Sequence, residues 1–188
     1  MTKKVVFIFW VAFLVLPSEI SARTLVTIES QKARLTLSLL VRLLKLEEHL
    51  KNQSPLKILV LLPRTKTAFQ DQNIVNQTIK DFFAGKDEFV VYWVSDGFKA
   101  KELLQKADFK VFYVAGPVPN LKELLTLAAR KKVLTVSHLP ELIPMGLALS
   151  LDLERRRACI VVNPKIWPRL GLKFPKLVEE KFCFAPTE

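Results

Sequence analysis

The chain has 188 residues, half of them apolar, with 5 glycines and 11 prolines. That supports one domain of ordinary size and excludes collagenous, low-complexity and disordered classes. Lys and Arg number 29 against 18 Asp and Glu, a net charge of +11, while two histidines and two cysteines exclude zinc fingers, cysteine clusters and paired haem ligands. A metal site or cofactor is not expected.

Residues 1–22 read as a secretory signal peptide. Lys3 and Lys4 precede an unbroken apolar run, Val5 to Leu16, then Pro17 and Ser18 break it and Ala22 offers a small residue for cleavage before Arg23. The run falls well short of the roughly 20 residues that span a bilayer. Residues 23–188 are then a single exported domain. Removing Lys3, Lys4 and Glu19 leaves 27 basic and 17 acidic residues, still +10. Export turns that charge away from nucleic acid and toward an acidic protein surface or the membrane surface. The basic triplets Arg130-Lys131-Lys132 and Arg155-Arg156-Arg157 are placed at turns.

The mature chain alternates helices and strands. Arg23 to Leu50 is a long amphipathic helix with Leu35, Leu39, Leu43, Leu46 and Leu50 at helical spacing. Its wide face, extended by Leu37, Leu40, Val41 and Leu44, suits burial on a sheet. Strands follow at 57–62, 88–95, 110–115 and 133–136, with helices at 71–84, 99–106 and 121–130, the last capped by Asn120. Strands joined by single helices favour parallel crossovers, so the fold class is α/β, a doubly wound and mostly parallel sheet. Alternation from Leu147 to Leu153, an arginine-rich turn and Ala158 to Val162 predict an antiparallel hairpin near the C-terminus. Short helices are expected near 165–169 and 175–181.

The chemistry-bearing residues are few. No glycine-rich phosphate loop is present, and Ser137 and His138, adjacent in sequence, cannot form a nucleophile–base pair. An enzyme is not expected. The loops after the four strands carry Arg64, Thr65, Asp96, Ser137 and His138, which a doubly wound sheet directs toward one crevice. There Arg64, Thr65, Ser137 and His138 would offer donors to a small anion. Cys159 and Cys183 permit one intramolecular disulfide in an exported protein, the other reading being a buried thiol beside an exposed tail cysteine.

The series Val133-Leu134-Thr135-Val136-Ser137, Gly146, the alternating strand to Leu153, a charged turn, Ala158 to Asn163 and Gly171-Leu172-Lys173-Phe174 resembles the YfiR-like family of periplasmic domains. The resemblance implies a signal peptide, an early amphipathic helix and a strand matching Val111 to Val114. It also implies a non-enzymatic regulator in cyclic-di-GMP signalling. Such a regulator docks on the periplasmic region of an inner-membrane diguanylate cyclase or related signalling protein. Where the family often has a cysteine, this chain has Asp108, Phe109 and Lys110, so a four-cysteine redox response lacks its residues. His138 stands where an aspartate is common, a pH-sensitive replacement. Docking is expected through the leucine-rich helix and Arg155 to Arg157, and homodimerisation is compatible with the sequence. The alternative is a periplasmic anion-binding domain serving a transporter, using the crevice at Arg64 and His138.

Overall fold

The computed structural model describes residues 18–63, 69–152 and 159–185, with side chains described from 28 onward and, after the first break, from 72. In chain order the elements are α1 (Ser18–Leu46), β1 (Leu56–Leu61), α2 (Phe69–Phe83), β2 (Phe89–Val94), α3 (Gly97–Lys106), β3 (Val111–Val114), α4 (Leu121–Arg130) and β4 (Leu134–Ser137). A 3-10 turn (Pro140–Leu142) precedes β5 (Leu149–Asp152), β6 (Cys159–Val162), α5 (Trp167–Leu170), α6 (Lys176–Glu179) and β7 (Phe182–Phe184). The expected leader lies mostly outside the described residues. No helix among them is long and apolar enough to cross a membrane.

The strands form one sheet in the order β2-β1-β3-β4-β5-β6-β7. Every neighbouring pair is parallel except β5–β6, whose ends are separated by a short connection that permits the antiparallel return. The α/β class and the hairpin expected from sequence are therefore present. β7, which the sequence reading left out, adds an outer strand parallel to β6.

Period-two alternation divides the core into two halves. Ile58 and Val60 of β1, Tyr113 of β3 and Val136 of β4 face α1 and α2, meeting Ala33, Leu37, Leu40 and Leu44 of α1. Leu59, Leu61, Phe112 and Val114 face the other way, onto Ala100 and Leu104 of α3 and Leu124 and Leu125 of α4. The helices cover both faces, which is why β3, and β1 from Ile58 onward, read as uninterrupted apolar runs.

Three expectations are corrected in detail. The buried face of α1 runs through Ala33, Leu37, Leu40, Leu43 and Leu44, as expected for a wide face, while Leu35 and Leu46, expected on it, are exposed. The helix also stops at Leu46 rather than Leu50. The buried Glu47 carboxylate accepts the His49 and Leu50 N–H groups at 2.8 and 2.7 Å and the Lys173 N–H at 3.0 Å, turning the chain and fastening α1 to the segment after α5. Asn120 stands at the start of α4 but makes no side-chain capping bond. Its amide lies against Gly97, where a Cβ would fall 1.7 Å from Oδ1.

Cys159 and Cys183 are disulfide-bonded, with Cα atoms 6.0 Å apart. Cys183 is in register with Val161, so the bond crosses β6 and β7 diagonally. Of the two readings of these cysteines, the structure has the disulfide.

Candidate functional site

The parallel strands β1 to β4 end at one edge of the sheet, where the sequence placed a crevice. Asp96 follows β2; its carboxylate accepts the Lys99 N–H at 2.8 Å and caps α3. Ser137 ends β4, fully buried. Its hydroxyl accepts the Leu139 N–H at 3.1 Å, and its carbonyl accepts the Ser150 hydroxyl at 2.9 Å. Both polar groups are thus engaged inside the protein.

His138 is also buried, beneath α1. Its Nδ1 lies 2.9 Å from the Tyr113 hydroxyl, and the two rings lie nearly parallel. The buried phenol satisfies both groups by donating to Nδ1, which leaves the proton of the neutral ring on Nε2. That nitrogen faces Glu29, whose Oε2 is 3.9 Å away. The other Glu29 oxygen accepts from the Lys32 ammonium at 3.2 Å. Burial, with Lys32 acting in the same direction, lowers the His138 pKa to about 4, so the ring is neutral at pH 7. Burial, and then the Glu29 charge, pushes the Tyr113 hydroxyl well above the ordinary phenol range. Among the described residues Glu29 Oε2 and Thr36 Oγ1 are buried without a hydrogen-bond partner.

These groups do not converge on a common point. β1 and β3 lie between β2 and β4, which puts Asp96 and Ser137 three strand spacings apart, roughly 14 Å. At the switch point between β1 and β3 the loops that follow those two strands touch: a Cβ on Gly116 would fall 2.9 Å from Cγ of Pro63. Arg64 and Thr65 lie outside the described residues, as do Arg155, Arg156 and Arg157. β5, parallel to β4, ends at Asp152. Among the described residues no group of three His, Cys, Asp or Glu side chains is placed to hold a metal ion.

The sequence reading missed Tyr113, Glu29 and Thr36. Its available signal was an acidic and a hydroxyl residue on the helix that it assigned to cover the sheet.

The arrangement defines an open, doubly wound α/β domain whose strand-end polar groups are largely engaged internally. No family model matches the chain, and no curated protein does. Among solved structures it is similar to a conserved domain protein from Vibrio cholerae O1 biovar eltor. The identity is 14% over 78% of this chain and 58% of that one, with a TM-score of 0.54. It is also similar to the ligand-free, open form of a substrate-binding protein with adhesive properties from Clostridium difficile. Here identity is 14%, over 71% of this chain and 55% of that one, with a TM-score of 0.49. The chain thus spans little more than half the length of either. The first likeness supports the fold alone.

Proposed function

We propose that this chain is a non-enzymatic periplasmic regulator. It docks on the periplasmic region of an inner-membrane signalling protein, of the diguanylate-cyclase or kinase type, and biases its activity. The observation that carries this reading is what the polar residues of the YfiR-like stretch do. Thr135 accepts the Ala148 N–H at 2.8 Å, Ser150 donates to the Ser137 carbonyl, and Asn163 donates to the Ile143 carbonyl at 2.9 Å while accepting the Lys165 N–H at 3.0 Å. These residues hold β4, β5, β6 and the 3-10 turn together. A stretch built of internal staples supports a domain that works through its surface.

The Cys159–Cys183 disulfide fits an oxidising compartment. To regulate, the domain must bind one state of its target more tightly than the other. The test is capture from detergent-solubilised host membranes on the immobilised 23–188 chain, followed by mass spectrometry. Recovery of a membrane cyclase or kinase with a periplasmic region, abolished by reversing the charges of Arg155 to Arg157, is expected. Recovery of a transporter alone, or of nothing above background, would overturn the reading.

The alternative, an anion-binding domain serving a transporter, has less to work with. Ser137 and His138 are committed to internal partners, which leaves Arg64 and Thr65 as its donors. A rise in melting temperature with small anions, removed by Arg64→Ala, would establish it instead.

A further inference from the structure

The two helix layers carry unequal charge. On the α3–α4 side, residues 97–106 and 121–132 hold seven cations and two carboxylates. On the α1–α2 side, residues 28–51 and 72–83 hold six cations and four carboxylates. α3 and α4 run side by side in one direction. Gly97 packs on Asn120 at their starts, and at their ends the Lys131 ammonium donates to the carbonyls of Leu104, Gln105 and Ala107. Glu102 is shared by Lys99 and Lys106, at 3.0 and 2.8 Å, and Glu123 pairs with Lys101. Lys122, Arg130 and Lys132 meet no carboxylate among the described residues. Lys101 and Gln105 of α3 line one open groove with Lys122, Thr126 and Arg130 of α4. Phe98, 83% exposed, precedes Lys101 by three residues and Gln105 by seven, so it stands on the same stripe of α3. Asp96 at that end already accepts the Lys99 N–H.

We propose that this face binds the anionic headgroups of a phospholipid surface, with α3 and α4 lying along it and Phe98 entering the interface. Six of the seven cations are lysine. Arginine's planar fork is the group that selects a carboxylate on a folded partner, and protein interfaces are poor in lysine. Hydrated point charges on flexible stems suit a plane of mobile anions instead. An aromatic ring left in water at the rim of such a face is what the boundary between headgroups and acyl chains takes up. Vesicles contain no protein partner, so this inference stands or falls apart from the signalling role above.

Sucrose-loaded vesicles of phosphatidylglycerol and phosphatidylcholine in equal parts should sediment the 23–188 chain, and raised salt should release it. Vesicles of phosphatidylcholine alone should not sediment it. Lys122→Glu with Arg130→Glu should weaken binding at least about 30-fold, roughly fivefold for each cation lost, with an unchanged circular dichroism spectrum. Phe98→Ala should weaken it about tenfold. Arg34→Glu with Arg42→Glu alters the net charge equally from exposed positions on α1, and should change binding less than about threefold. A chain that ignores the anionic vesicles would overturn the proposal and leave the face to an acidic protein. Equal binding to both vesicle types, an α1 reversal as damaging as that on α4, or an inert Phe98→Ala would overturn it as well.

Discussion

His138 and Glu47 show two ways of keeping an ionisable side chain inside this protein. His138 is held neutral, its pKa lowered to about 4 by burial and by Lys32. The unfolded chain binds that proton near pH 6.5. Between these values the unfolded state holds more protons, so stability is complete above pH 6.5 and falls as the pH drops toward 4, by about 3 kcal/mol in all. Urea midpoints at pH 7.5 and 4.5 check this: His138→Gln should lose most of the difference that the wild type shows. A substitution that leaves the pH dependence intact would place its origin in other groups. Glu47 instead sits among three main-chain N–H groups, two from its own turn and one from Lys173. Glu47→Ala strands those donors and should cost about 3 kcal/mol in urea unfolding, with Glu47→Gln recovering part of it.

At the scale of elements, the outermost strand depends on a covalent bond and the switch point on the absence of a side chain. β7 has three residues and is tied to β6 by the disulfide. Replacing both cysteines by alanine should lower stability by about 3 kcal/mol through the 24-residue separation of the pair, with strain left aside. Hydrogen exchange should then show Phe182 to Phe184 losing protection first. Gly116→Ala would push the rigid Pro63 ring from its place, at a cost of about 1–2 kcal/mol read as a lowered melting temperature. Such features mark the limit of what the sequence discloses. β3, and β1 from Ile58 onward, are legible because burial on both faces writes them as apolar runs. β7 is too short to carry a pattern, and its pairing partner lies some twenty residues away. The position of His138 after a strand is legible, but its pairing with Tyr113 requires knowing that β3 lies beside β4. The same strand order separates Asp96 from Ser137, groups that a list of loops would bring together.

For the whole molecule, α1 is a layer of the fold rather than an appendage. Ala33, Leu37, Leu40 and Leu44 cover one face of the central strands, and Glu47 anchors the far end. A chain starting at residue 53 would leave Ile58, Val60 and Val136 in water. It should be recovered as a species that binds ANS and melts without cooperativity. Intact two-state unfolding of that fragment would show that the helix is dispensable.

The bond between Glu47 and Lys173 spans 126 positions of the chain. A ribosome adding roughly 5–20 residues per second needs on the order of 6–25 s to travel that distance. The first helix is therefore finished long before the residue that clamps its end exists. Any interruption of synthesis in that interval leaves a leucine-rich face unfastened, within reach of the holding chaperones and proteases that survey nascent chains.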